Sequence, residues 1–220
     1  MYPTQSRLYF MNAQKMNNFP KFYNCLDETK KEIFSLLFQG AKKRKSNFHN
    51  VILNTISLDN KPEARVVVLR KFCNKELTLN IHSDQRSKKI QEIKNNNNVN
   101  LTFYDDKKKI QIRVRGIAKI EDSKKKSWDQ LTTWSRRCYL SIDPPGTMSN
   151  SPTSGFPDQF SNESPSIEES KKGFVNFTLI KIFINQIEWL YLTSKGHRRA
   201  LFKINRNNSK TNIVSKWMVP

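Results

Sequence analysis

From Lys21 to Lys45, Phe22, Leu26, Ile33, Leu36 and Leu37 recur near helical spacing and predict a helix with a basic run in its last turn. Between Asn50 and Ile120 the pattern changes to five strand-like runs. They are broken at Asp59-Asn60-Lys61-Pro62, Cys73-Asn74-Lys75 and Asp105-Asp106-Lys107. Val66-Val67-Val68-Leu69 reads as a strand buried on both faces, with Arg65 and Arg70 at its ends. In the last run Ile110, Ile112 and Val114 alternate with Gln111, Arg113 and Arg115, the period of a strand with one packed face. A short helix is expected between the third and fourth runs. It is capped at Ser83 or Asp84, opened by Gln85-Arg86-Ser87-Lys88-Lys89 and packed through Ile90 and Ile93.

Residues 121–140 predict another helix, with Trp128, Leu131 and Trp134 on adjacent turns. From Ser141 to Ser170 the chain is rich in Ser, Pro, Asn and Gly, which marks a mobile loop rather than a second domain. Strands resume over 175–184 and 187–193, followed by Gly196-His197-Arg198-Arg199 and a short apolar run. Closely spaced strands of this kind predict a mostly β fold with flanking helices, built as an antiparallel barrel. Residues 1–220 read as one domain with a Ser/Pro-rich loop at about 141–170.

Charge adds a question to this picture. Lys and Arg outnumber Asp and Glu by 39 to 19, a formal net charge of +20. The field would draw in phosphorylated metabolites, and equally nucleic acid or an anionic surface. Cys25, Cys73 and Cys138 are widely spaced and form no C-x-x-C pair, so neither a disulfide framework nor a zinc site is expected, and a reducing cytoplasm fits. The longest apolar stretch, Phe174 to Leu192, is interrupted by Asn176, Lys181, Asn185, Gln186 and Glu188, which rules against a membrane span. The first twenty residues lack the apolar core and small-residue cleavage site of a secretory signal.

The candidate chemistry is anion binding. Two guanidiniums at the ends of so apolar a strand are costly to desolvate unless they reach its rim or meet an anion, for which a phosphate is the natural choice. The Ser83–Lys89 segment sets hydroxyls and cations around a helix N-terminus, whose free N–H groups attract negative charge. A solvated basic first turn is the alternative. The three His are scattered, and no Ser-His-Asp arrangement or paired carboxylate marks a catalytic base.

In order, ARVVVLR, IHSDQRSKK, NNNNVNLTFYD and KIQIRVRG resemble the pyridoxamine 5′-phosphate oxidase family of FMN-binding split barrels, in its cyanobacterial and plant branch. The blocks match R-x-V-V-x-R, T-D-x-R-S-x-K and Q-x-R-x-x-G, and the resemblance covers roughly residues 20 to 204. It implies a Greek-key antiparallel barrel that works as a homodimer, with FMN at the subunit interface. The cofactor residues it implies are Arg65, Val66, Val67, Val68, Leu69, Arg70, His82, Ser83, Ser87, Lys88, Lys89, Gln111 and Arg199. Arg70, His197 and Arg198 are implied for a small phosphorylated substrate. The implied activity is oxidation of pyridoxamine or pyridoxine 5′-phosphate, with the flavin carrying the chemistry and oxygen reoxidising it. FMN is expected rather than FAD, since no G-x-G-x-x-G turn is present to take a pyrophosphate.

Two departures qualify the resemblance. The family's Ile-Glu-Phe-Trp stands here as Ile187-Glu188-Trp189-Leu190, which shifts the aromatic residue to the opposite face and makes Trp189 a core residue. The family's R-x-R-x-S-Q substrate clamp is replaced by Ser135-Arg136-Arg137-Cys138-Tyr139-Leu140. Alternatives are a flavin reductase or flavin-binding protein with another substrate and, from a different class, a basic nucleic-acid-binding barrel without flavin.

Overall fold

The computed structural model describes residues 19–207 and 210–220. Its helices are α1 (Leu26–Lys42), α2 (Lys88–Asn95), α3 (Lys125–Asp129), α4 (Thr133–Arg136) and α5 (Ile167–Lys171). Its strands are β1 (Asn50–Ile56), β2 (Pro62–Cys73), β3 (Thr78–Asp84), β4 (Asn98–Asp105), β5 (Ile110–Glu121), β6 (Phe177–Tyr191), β7 (Arg198–Asn207) and β8 (Lys210–Met218). All pairings are antiparallel, in the order β3-β2-β1-β4-β5-β6-β7-β8, and β3 also pairs with β6. That last pairing closes β1 to β6 into a six-stranded barrel, with β7 and β8 continuing the sheet from the second half of β6. Placement of β4 beside β1 after the β1-β2-β3 meander is the Greek-key return.

Alternation along the strands fills the barrel. Val51, Leu53, Leu69, Leu79, Ile81, Leu101, Phe103, Ile112, Val114, Ile182 and Trp189 point inward into one continuous core. Ile33, Leu36 and Leu37 of α1 pack into the same core, and Phe34 of α1 meets Phe72 with ring centroids 5.3 Å apart. A smaller cluster of Trp128, Tyr139 and Phe177 lies where the segment after β5 covers the start of β6.

Closure depends on two bulges. Arg115 pairs with Gln186 and Gly116 with Ile184, which leaves Asn185 as the extra residue and lets β6 turn from β7 toward β3. A Cβ on Gly116 would lie 2.4 Å from the Phe183 carbonyl oxygen, so glycine is needed for this close approach. The second bulge lies between Leu69 and Lys71 and leaves Arg70 unpaired.

Several sequence expectations shift. The first helix starts only at Leu26, because Lys21–Tyr23 is a separate 3-10 turn and Cys25 is extended. It ends at Lys42, so most of the basic run lies in the turn that follows. Ser83 and Asp84 are still paired with Thr178 and Phe177 in β3, and Ser87 therefore caps α2. The helix expected over 121–140 is broken into α3, α4 and a 3-10 turn, with Thr132 restarting it by accepting from the Ser135 N–H. The runs at 175–184 and 187–193 are one strand, and β8 was not anticipated. Val66–Leu69 is not buried on both faces: Leu69 is in the core, whereas Val66 is 66% exposed. A barrel wall has one interior face, and β2 obeys the alternation its composition conceals.

Gly116→Ala should destabilise the fold by about 1–3 kcal/mol, the usual penalty for forcing a side chain into a packed contact. Urea unfolding followed by circular dichroism measures this, and an unchanged midpoint would show that the bulge relaxes freely.

Candidate functional site

Beyond β3 the chain makes a tight polar turn into α2. The Asp84 carboxylate accepts from the Arg86 backbone N–H at 2.8 Å and from its guanidinium at 3.1 Å (Nε) and 2.7 Å (Nη2). The Ser87 hydroxyl donates to the Asp84 carbonyl at 2.7 Å and lies 3.1 Å from the Ser83 hydroxyl. Lys89, in the first turn of α2, donates to the Ser83 hydroxyl at 3.2 Å. Ser83, Asp84 and Ser87 are all buried.

Arg65 reaches the same region from β2. Its register partner is Leu53, so it extends from the interior face at the barrel rim. There it donates to the Thr55 hydroxyl and, at 2.9 Å, to the buried carboxylate of Glu92 on α2, while Thr55 donates to Glu92 at 2.5 Å. Lys89 has no ion-pair partner among the described residues. Burial, and then the neighbouring Arg65, lower its pKa against the pull of Asp84 and Glu92. A partly buried ammonium beside two hydroxyls and free helix N–H groups suits a phosphate, which would relieve both effects. Lys88 is exposed and takes no part in this network.

The outer face of β2 adjoins this turn. Val66 and Arg70 are exposed and Val68 is half-buried, and Ile52, paired with Val66 on β1, is 42% exposed. Arg70 stands in the bulge and acts electrostatically on His82. His82 packs edge-on against Phe177 at 5.0 Å, and its buried Nδ1 has no hydrogen-bond partner among the described residues. Burial first and Arg70 second lower its pKa to about 4, so the ring is neutral at physiological pH.

Gln111 and Arg199 are elsewhere. In the six-strand barrel β5 is three strands from β2 in either direction, so Gln111 lies on the opposite wall and faces outward. Arg199 is aligned with it across Leu190. Arg199 donates to the buried Glu188 at 2.8 Å, and Arg113 donates to both oxygens of the same carboxylate at 2.6 Å. Burial works to raise the Glu188 pKa, but the two arginines outweigh it and hold it below the ordinary range. His197 and Arg198 sit at the start of β7. The Thr193 N–H donates to His197 Nδ1 at 3.1 Å, while Arg198 donates to Asn24 at 3.0 Å and lies over the Tyr23 ring at 4.0 Å.

One chain thus brings together Arg65, Ser83, Ser87 and Lys89, with Val66, Val68, Arg70 and His82 on the adjoining outer surface. It holds Gln111 and Arg199 on the far wall. The sequence reading missed Thr55, Glu92, Arg113 and Glu188; a glutamate within an apolar run, as in Ile187-Glu188-Trp189, was the available signal. It also missed the second role of Arg86, which donates to the Ser141 and Ile142 carbonyls at 3.0 and 2.9 Å and ties the Ser/Pro-rich segment to the turn. Trp189 is fully buried, as its shifted position predicts.

The replaced clamp is structurally occupied. Arg136 packs on the Trp128 ring at 5.0 Å and donates to the Trp128 carbonyl at 3.2 Å. Arg137 lies 3.6 Å from the Trp134 ring and donates to the Phe160 and Ser161 carbonyls.

Residues 30–122 match the family model described as pyridoxamine 5′-phosphate oxidase, FMN-binding domain. A pyridoxine/pyridoxamine 5′-phosphate oxidase of Leptospira biflexa is 33% identical over 101 residues, which cover 45% of this chain and 47% of that protein. The chain therefore matches about half the length of this curated relative. Among solved structures, a pyridoxamine 5′-phosphate oxidase-related FMN-binding protein of Nostoc punctiforme superposes with a TM-score of 0.67 at 20% identity, covering 86% of this chain and 96% of that one. PhzG of Burkholderia lata, solved with tetrahydrophenazine-1-carboxylic acid, gives 0.60 at 13% identity, covering 92% and 97%. At these identities the structural likeness concerns the fold. Residues 30–122 thus resemble the FMN-binding domain of the pyridoxamine 5′-phosphate oxidase family, and the fold around them is the split barrel of these neighbours.

Proposed function

We propose that the protein is an FMN-dependent oxidoreductase acting on a small anionic substrate, and that it works as a homodimer. The observation that carries this reading is the Lys89 ammonium, partly buried beside Ser83 and Ser87 with no carboxylate partner among the described residues. When bound, FMN supplies the hydride-accepting ring, so no protein nucleophile is required. In this reading Lys89, Ser83, Ser87 and the α2 N–H groups hold the phosphate. Arg65 braces them through Glu92, and the backbone of Val66–Arg70 lines the ring. A neutral His82 and Arg70, which stands in the bulge, face the substrate.

The opposite-wall position of Gln111 and Arg199 supports the dimer. A ligand on the outer face of β2 cannot touch the outer face of β5 in the same barrel, whereas a second copy can present it. The exposed Val66 and Ile52 would be covered by the same contact. Three free cysteines suit a reducing cytoplasm. No helix among the described residues is long and apolar enough to cross a membrane.

The substrate is proposed to differ from pyridoxamine 5′-phosphate, because Arg136 is bound to the preceding Trp128 carbonyl and Arg137 to the following Phe160 carbonyl instead of facing an open site.

FMN, released by heat and identified by chromatography, should be the flavin recovered; FAD would refute the assignment. Lys89→Ala should weaken FMN binding about ten- to hundredfold, the loss of a charge-assisted hydrogen bond of roughly 1.5–3 kcal/mol. Riboflavin, which lacks the phosphate, should bind both proteins alike, and an equal loss for riboflavin would place Lys89 elsewhere.

Mixing Lys89→Ala with Arg199→Ala protein should restore a fraction of tight flavin sites, since a mixed dimer holds one site with both residues intact. Fluorescence titration reads the recovered sites. A flavin-loaded monomer in sedimentation equilibrium, or no recovery despite exchange of subunits, would contradict the shared site.

With pyridoxamine 5′-phosphate, oxygen consumption should be far below ordinary turnover, because a misplacement of about 1 Å can cost on the order of a hundredfold in rate. Turnover of about 1 per second or faster would show that other residues rebuild the clamp.

A further inference from the structure

Two basic runs far apart in the sequence meet at one end of the barrel. Lys42-Lys43-Arg44-Lys45 closes α1 and forms the turn after it, and Lys107-Lys108-Lys109 forms the β4–β5 hairpin. Asn47 donates to Asp106 at 2.8 Å and Lys108 pairs with Glu32 of α1 at 3.1 Å, which fixes the runs side by side. All seven cations are exposed, and Lys108 is the one among them with an ion-pair partner among the described residues. The carboxylates at hand, Glu32, Asp105 and Asp106, leave a local excess of positive charge. Asp105 is itself buried and accepts from the Lys107 and Lys108 N–H groups at 3.0 and 2.9 Å, so it shapes the hairpin more than it screens it.

The hairpin carries a second signal. Lys109 has φ 57°, the left-handed conformation that glycine or asparagine adopts more readily and that costs an ordinary residue roughly 1–2 kcal/mol. Lysine stands at this position although glycine or asparagine would suit the backbone better. None of the residues assigned to the flavin site lies in either basic run.

We infer that this end of the molecule is a docking surface for the phosphate backbone of nucleic acid. A polymer with regularly spaced phosphates can engage both runs at once and release condensed counterions from each contact, the main source of sequence-independent affinity. A membrane surface fits less well. Phe38 is the exposed large apolar side chain of this stretch of α1, and the Lys42 ammonium lies over its ring at 4.4 Å, which leaves no clean apolar wedge for a bilayer.

The test uses the full chain, a fluorescein-labelled DNA duplex of about 20 base pairs and fluorescence anisotropy between about 50 and 200 mM salt. The wild type should show a slope of log affinity against log salt of about −3 to −5, corresponding to some four to five phosphate contacts at roughly −0.9 each. Replacing Lys42, Lys43, Arg44 and Lys45 by Gln should weaken binding at least about tenfold at 100 mM salt and flatten the slope. Lys107→Gln with Lys109→Gln, a separate variant in case the first fails to fold, should act in the same direction. Removing equal charge at Lys94, Lys126, Lys172 and Lys216 should change affinity less than about threefold. An equal loss in this control, the absence of salt-dependent binding at micromolar protein, or tighter binding to phosphatidylserine vesicles than to the duplex would each overturn the proposal.

Discussion

Strand β6 has to satisfy more neighbours than a single straight strand can. Over Phe177–Tyr191 it pairs with β5 along one side, and on the other with β3 through its first half and β7 through its second. Staying in register with β5 while changing partner forces a local bend, which the extra residue Asn185 and the missing side chain of Gly116 provide. The barrel closes because of that bend. Ser83 and Asp84 are then held against Thr178 and Phe177, and the turn into α2 acquires a rigid base. Burial of Ser83, Asp84 and Ser87, on which the polar network depends, follows from the same closure.

Charge within the site is distributed unevenly, and the unevenness separates bracing from binding. Arg65, Arg113 and Arg199 each meet a buried carboxylate, an arrangement that is costly to break because the remaining charge stays desolvated. Arg86 is tied to Asp84 in the same way. Lys89 and Arg70 have no such partner among the described residues, and both lie beside the network instead of at its centre. Within one chain the braced guanidiniums are held by their carboxylates, whereas Lys89 and Arg70 have no carboxylate among the described residues to satisfy them.

Much of the frame was legible in the order of residues. Alternation of Ile110, Ile112 and Val114 with Gln111, Arg113 and Arg115 established a barrel wall with a polar outer face, and the shifted Trp189 could be assigned to the core by strand parity alone. Ser83, Ser87 and Lys89 could be grouped because they lie within a few residues of one another at a helix start. Local chemistry of this kind is written in sequence: it depends on spacing along the chain, on intrinsic conformational preference and on side-chain type.

What required the tertiary structure was every relation between distant segments. Glu92 could be matched to Arg65, and Glu188 to Arg113 and Arg199, only once the strands were in register. The exposure of Val66 within an apolar run, the splitting of the 121–140 helix and the separation of Gln111 from Arg65 by half the barrel all depend on which surfaces pack together. A one-residue shift in pairing would exchange every inward and outward side chain. The sequence by itself determined the alternation along β5, the presence of helices near 26–42 and 88–95, and the family's blocks. Barrel closure decided which cations are braced by carboxylates and which are left free, because burial and pairing are properties of the assembled sheet and not of neighbouring residues.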